Sequence, residues 1–200
     1  MLVVGTGTDV GKTWLATALI GELRGQGRSV AVRKPVQSYR PGEPTDADRL
    51  ARASGERPAE VCPPHRSFER PMAPPMAAQA LGRPSFTIAD LLGELAWPAG
   101  VEVGLIEGAG GVRSPLADDG DAVDLAAALR PRHVVLVADA GLGTLNLIRL
   151  SVDALAGLAV VVYLNRFEES DDLHRRNRAW LEGRQRLALT TDVGELASLV

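Results

Sequence analysis

An α/β fold, with a mostly parallel sheet covered by helices on both faces in three layers, is what the sequence predicts, and three observations predict it. Short β-branched and leucine-rich runs recur at 2–4, 29–33, 101–106, 133–138, 158–164 and 187–189, each of strand length and bounded by turn residues. Stretches with helical apolar spacing lie between them, so strand and helix alternate along the chain. The first run leads straight into GTGTDVGKT (5–13), a glycine-rich turn that opens the first helix. In such sheets ligands bind beyond the carboxyl ends of the strands, so the chemistry-bearing motifs should cluster there.

The individual helices follow from local signals. Residues 12–24 place Leu15, Leu19 and Leu23 on one stripe, stopped by Gly25 and Gly27. Thr45 with Asp48, and Thr87 with Asp90, have capping-box spacing and predict helix starts. Two more helices are expected at 146–155 and 171–181. Residues 58–84 hold seven of the thirteen prolines and show no sustained period. A long irregular connection is expected there, acting as a lid or wall on the substrate side.

Composition narrows the function classes. With 200 residues, 46% of them hydrophobic, the chain should form one domain over 1–200 with one sizeable core. A formal net charge of -3 gives no electrostatic footprint for nucleic acid or acidic membranes. Cys62 is the only cysteine, so no intrachain disulfide is expected and nothing points to an oxidising compartment. No run approaches the roughly 18 apolar residues of a membrane span, and the chain opens on a strand rather than a targeting segment. A cytoplasmic location is expected, with no membrane or nucleic-acid partner. Of the 22 basic residues only Lys12 and Lys34 are lysines, which marks them as positions where a compact ammonium is needed.

GTGTDVGKT has the parts of a phosphate-binding P-loop: a preceding strand, glycines, a lysine and a hydroxyl at a helix start. Five residues separate Gly5 from Gly11 where the usual pattern has four. Lys12 can reach β and γ phosphates, and the Thr13 hydroxyl can bind Mg²⁺. Thr8 and Asp9 fall in the lengthened turn, where they would face substrate and nucleotide. The run 101–106 delivers Glu107 at a strand end, followed by Gly108, Ala109, Gly110 and Gly111. There the glycines let backbone approach a ligand and Glu107 can hold Mg²⁺.

Lys34 ends the second strand in RKPVQS, with Ser38 four residues on, so an ammonium and a hydroxyl can converge on a polar substrate. Asp46 and Asp48 open a helix, where acids favour the helix dipole with or without a metal. GLGTLN (141–146) offers a second set of free amides suited to a carboxylate or phosphate. Asn165 ends another strand, in position to read a base edge. His65, His133 and His174 lack metal-ligand spacing.

GTGTDVGKT, KPVQS, TDADRL, RPMAPPMAA, EGAGG and GLGTLN, in this order over most of 1–166, together resemble the ATP-dependent dethiobiotin synthetase family. The resemblance implies a three-layer P-loop NTPase fold with a seven-stranded or similar sheet, and a homodimer with substrate near the interface. It implies ATP or another nucleoside triphosphate and Mg²⁺ as cofactors, with a diamine (7,8-diaminononanoate) and CO₂ as substrates closed to a cyclic urea. Carried over by position, Lys12, Lys34 and Thr8 are the catalytic set, and Thr13, Asp46 and Glu107 hold the metal. Nucleotide falls to Asp9, Val10, Gly11, Lys12, Thr13, Trp14, Asp46, Glu107, Gly108, Ala109, Gly110, Asn165 and Arg166. Substrate falls to Thr8 and Ser38, with Gly143, Thr144, Leu145 and Asn146 receiving its carboxylate from the partner subunit. Two other classes stay open at this point: a P-loop synthetase with another substrate, and a partitioning-type switch ATPase. The absence of an early P-loop lysine between 5 and 10 disfavours the latter.

Overall fold

The computed structural model describes residues 1–185 and 187–200, with side chains left aside at 184 and 185. Its main sheet contains six parallel strands: β1 (Leu2–Gly5), β2 (Val30–Arg33), β5 (Val103–Glu107), β6 (Val134–Asp139), β7 (Val160–Asn165) and β8 (Ala188–Thr190). They lie in the order β2-β5-β1-β6-β7-β8. All six predicted strands are present. The resemblance suggested seven or a similar number; among the described residues the sheet has six.

The central strands are apolar on both faces because helices cover both. Alternation divides them cleanly. Val3, Leu105, Val135, Val137 and Tyr163 pack on one face, with Leu15, Leu19 and Leu23 of α1 (Lys12–Gly25), Leu50 of α2 (Asp46–Ser54) and Leu196 of α9 (Val193–Leu199). Leu2, Val4, Ile106, Val134, Leu136 and Leu164 pack on the other, with Leu91 of α5 (Ile88–Gly93), Leu125 of α6 (Ala122–Leu129) and Ile148 of α7 (Thr144–Ala154).

The capping signals hold. Thr45 and Asp48 form a reciprocal capping box at α2, and Thr87 and Asp90 do the same at α5. The helix expected at 171–181 is α8 (Asp172–Trp180), capped by Asp171 and followed by a π turn over Leu181–Gln185. Helix α7 begins two residues before the expected start. Helices α6 and α9 were not anticipated, although Asp121 with Asp124 forms a capping box at α6 and Asp192 caps α9.

Residues 58–84 correct the expectation of an irregular connection. They form α3 (Pro58–Val61), a 3-10 turn (Pro64–Arg66), β4 (Ser67–Phe68) and α4 (Pro74–Ala80), and β4 pairs in parallel with β3 (Gln37–Ser38). Pro58 and Pro74 stand at the first helical positions, where a missing N–H is harmless and a fixed φ favours the helix. The segment is pinned by Phe68 stacking on Phe86 at 5.8 Å. Arg66 adds a fork to Glu94 and lies 4.5 Å over the Phe86 ring. It is a wall rather than a loose lid.

The order places β1 between β5 and β6, so the chain reverses direction across the sheet at β1. The turns after β1, β2 and β5 therefore share one edge. Leu105, fully buried in this central region, gives the fold a direct test: Leu105→Ala should lower the unfolding free energy by about 2–5 kcal/mol, read by equilibrium denaturation.

Candidate nucleotide and substrate site

The P-loop conformation follows from two glycines and one aspartate. A Cβ on Gly5 would meet Val10 Cγ2 at 2.8 Å, and one on Gly11 would come within 1.9 Å of Asn165 Nδ2. Gly11 also has φ 98°, a left-handed value that glycine alone adopts freely. Asp9 has φ 59°, so an aspartate, one of the residues that tolerate this region, accommodates the lengthened turn.

The end of β7 then clamps the turn. Asn165 Nδ2 donates to the Val10 carbonyl at 2.9 Å, and Arg166 donates to the Asp9 carbonyl at 2.9 Å and to Asp139 Oδ2 at 2.8 Å. Asn165 is thus buried beneath the loop, with its amide nitrogen engaged by the Val10 carbonyl. This clamp, with Asp139 as its anchor, escaped the sequence reading because nothing local relates residues 139 and 165–166 to residues 9–10.

Helix α1 starts at Gly11 with no side-chain cap, leaving first-turn amides free for an anion. Lys12 is buried, and its Nζ donates to the Gly7 carbonyl at 2.7 Å. EGAGG packs against this loop: a Cβ on Gly111 would lie 3.2 Å from the Thr6 carbonyl oxygen, and one on Gly110 2.7 Å from Ser114. Gly108 donates to the Val3 carbonyl at 2.9 Å.

The pairing Arg33↔Ile106 of β2 with β5 brings the following residues, Lys34 and Glu107, together at the sheet edge. Lys34 Nζ lies 2.5 Å from Glu107 Oε1 and 2.8 Å from Asp46 Oδ2, and it also donates to the Gly108 carbonyl at 3.2 Å. Thr13 Oγ1 donates to Glu107 Oε1 at 2.9 Å. Asp48 serves the cap of α2, so Asp46 is the carboxylate that faces the cluster. Gln37, which the sequence did not single out, fixes α2 by accepting from the Ala47 amide at 3.0 Å.

Burial alone would drive the Lys34 ammonium down, but the charges of Glu107 and then Asp46 outweigh it and hold it above its ordinary value. Burial likewise works to raise Asp46, yet Lys34 brings it below the usual carboxylate range. Glu107 is pushed up by burial, against the pull of Lys34. Its Oε2 is buried without a hydrogen-bond partner among the described residues. Lys12, desolvated and facing Lys34, is lowered to about 8.

These groups open on a cavity of about 690 Å³. Thr8, Asp9, Gly11, Lys12, Thr13, Trp14, Lys34, Ser38, Asp46, Ala109, Gly110 and Arg166 line it, with residues 71–74 of the proline-rich wall opposite. Ser38 donates to the Met72 carbonyl at 2.6 Å. Thr8 and Ser114 also line a second cavity of about 540 Å³, bounded by Gly111 to Pro115 and by Leu147, Leu150 and Ser151 of α7. Gly143, Thr144, Leu145 and Asn146 line neither cavity. Thr144 is buried with its Oγ1 unpartnered, while Leu142, Leu147 and Leu150 are exposed.

A family model described as an AAA domain matches residues 1–181. The ATP-dependent dethiobiotin synthetase BioD of Anaeromyxobacter sp. (strain Fw109-5) is 41% identical, with 98% of this chain and 92% of the relative aligned. The chain belongs to the dethiobiotin synthetase family. Among other members, BioD of Anaeromyxobacter dehalogenans (strain 2CP-1 / ATCC BAA-258) is 41% identical over 94% of this chain and 88% of its own. BioD of Caulobacter vibrioides (strain NA1000 / CB15N) is 42% identical over 78% and 73%. No described helix of this family member is long and apolar enough to cross a membrane.

The lowered Lys12 gives a pH test. Its native value near 8 lies below the ordinary lysine value of 10.5, so between the two the unfolded chain binds more protons than the native one. The penalty for charging Lys12 is therefore full below about pH 8 and relieved as pH rises towards 10.5. Cys62, pushed up to about 12 by burial, acts in the opposite direction in both wild type and variant. The measurement is thus a difference: the stability advantage of Lys12→Met over wild type should shrink from pH 8 to 10.5 in parallel denaturation series.

Proposed function

We propose that this chain is an ATP- and Mg²⁺-dependent synthetase that closes 7,8-diaminononanoate and CO₂ to dethiobiotin, the reaction after which its relatives are named. The observation that carries it is the position of Lys34. A fully buried ammonium held by Glu107 and Asp46, beside Lys12 and Thr13 of the P-loop, supports a site that receives a phosphoryl group and an anionic acceptor.

The fit to Mg²⁺ rests on Glu107. A buried carboxylate with one oxygen unpartnered among the described residues gains from further positive charge brought beside it. Thr13, Asp46 and Glu107 would hold the ion, all oxygen donors suited to a hard cation. Bound there, Mg²⁺ would neutralise charge on the phosphoryl oxygens.

One diamine nitrogen adds to CO₂ to give a carbamate, and a carbamate oxygen attacks the γ-phosphorus as ADP leaves. The second amine then attacks the carbamate carbon, the C–O bond breaks, inorganic phosphate departs and the cyclic urea closes. Lys12 and Lys34 stabilise the developing negative charge by fixed electrostatics, and no protein nucleophile is required. Ser38 and Thr8 hold the acceptor side of the cavity. The substrate carboxylate goes to the Gly143–Asn146 amides of a second copy, in a homodimer that covers the exposed Leu142, Leu147 and Leu150. What supports this placement is the exposure of Leu142, Leu147 and Leu150 and the closeness of α7 to the cavity that Thr8 borders.

Lys34→Ala should lower turnover about 10²- to 10³-fold, measured by mass detection of the cyclic urea from diaminononanoate, bicarbonate and Mg-ATP. Lys34→Arg keeps the charge but not the compact ammonium, and its loss should be comparable. Turnover within a few-fold of wild type in both variants would remove Lys34 from the chemistry. Nucleotide hydrolysis by wild type without the cyclic urea would overturn the assignment.

A further inference from the structure

We propose that the indole of Trp14 is the platform on which the nucleobase stacks, so that the base is held by its face. The inference rests on the nucleotide reading above and gives Trp14, which the resemblance places in the nucleotide set, a specific role at the base. Trp14 directly follows Lys12 and Thr13 on the first turn of α1, off the buried stripe of Leu15, Leu19 and Leu23. It is 55% exposed and lines the larger cavity. An indole of this size left half in water in the wall of a polar cavity offers a flat apolar surface to whatever the cavity holds.

The ring is held in place. Its centroid lies 6.5 Å from that of Tyr163 on β7, tilted by 38°. That contact puts Trp14 on the β7 side of the cavity. Lys34, Asp46 and Glu107 stand at the β2 and β5 side of β1, whereas Trp14 leans toward β7, on the opposite side in the strand order. A nucleoside triphosphate with its terminal phosphate at the Lys34 end and its chain along the P-loop amides directs its base to the Trp14 end. Arg166 borders the same cavity, its guanidinium already fixed by Asp139 and the Asp9 carbonyl. The base end is therefore an aromatic face beside a pinned cation.

Every nucleobase has a π face, so aromatic stacking adds affinity with little regard for which base is present. The other two tryptophans are committed elsewhere: Trp97 packs over Gly104 and under Arg33, and Trp180 lies under Arg149. A nucleotide-dependent change in indole fluorescence can accordingly be assigned to Trp14.

The test is a fluorescence and calorimetric titration of the full chain with Mg-ATP, Mg-GTP, Mg-CTP, Mg-UTP and magnesium tripolyphosphate, which has no base. All four nucleotides should change the emission of wild type and tripolyphosphate should not, and Trp14→Phe should abolish the change. Trp14→Ala should weaken all four nucleotides by roughly tenfold to a hundredfold, leave tripolyphosphate within about twofold, and be largely rescued by Trp14→Phe. Equal nucleotide affinity in wild type and Trp14→Ala would overturn the stacking role while leaving the nucleotide reading intact. So would an equal loss for nucleotides and tripolyphosphate, which would mean a distorted loop. Failure of wild type to bind either class would instead defeat the nucleotide reading itself.

Discussion

The buried contact between Lys34 and Glu107 is the constraint on which the rest of the site depends. It exists because β2 and β5 run parallel in a register that ends both strands at the same level, with Asp46 brought alongside by the start of α2. Removing two charges from water is costly, and a buried pair is at best a weak source of stability. Removing one partner is worse, because the other stays buried and uncompensated. Such a pair makes sense where a charged reactant is to be received. Its geometry leaves Glu107 Oε2 unpartnered and the Lys34 ammonium bordering the cavity.

The second dependency runs through the P-loop. The extra residue is absorbed by Asp9 in a left-handed conformation, and the strained turn is secured by two consecutive residues at the end of β7. Asn165 and Arg166 hold adjacent carbonyls, 10 and 9, and Asp139 at the end of β6 anchors the arginine. Three neighbouring strand ends, those of β1, β6 and β7, thus determine one loop. The arrangement also leaves the first-turn amides of α1 free, since Gly11 supplies no side chain to occupy them.

Much of this was legible in the sequence where the signal is local. All six strands were marked by β-branched runs, and two helix starts by capping boxes. The box at Thr45 and Asp48 carried more than was taken from it: an aspartate three residues after the cap is engaged by the cap, which leaves Asp46 as the one free to meet Lys34. Asp121 with Asp124 carried the same signal for α6 and went unread. The proline content of 58–84 pointed to an irregular connection, although two of the prolines occupy first helical positions where proline favours the helix. The roles of Asn165 and Arg166 were not legible, because they act on a backbone segment brought near only by the sheet order, and that of Gln37 depends on the fold of the connection between β3 and α2. The GLGTLN segment lines neither cavity of its own chain, so the role proposed for it calls for a second copy.

Isotope tracing tests whether phosphate passes from ATP to an oxygen of a carbamate, as proposed above. Wild-type protein is given diaminononanoate, Mg-ATP and ¹⁸O-labelled bicarbonate, and the released inorganic phosphate is analysed by mass before the label exchanges with solvent. One bicarbonate-derived oxygen should appear in each phosphate, because the carbamate C–O bond breaks when the second amine closes the ring. Phosphate that carries no such oxygen, with its fourth oxygen drawn from water instead, would contradict the account.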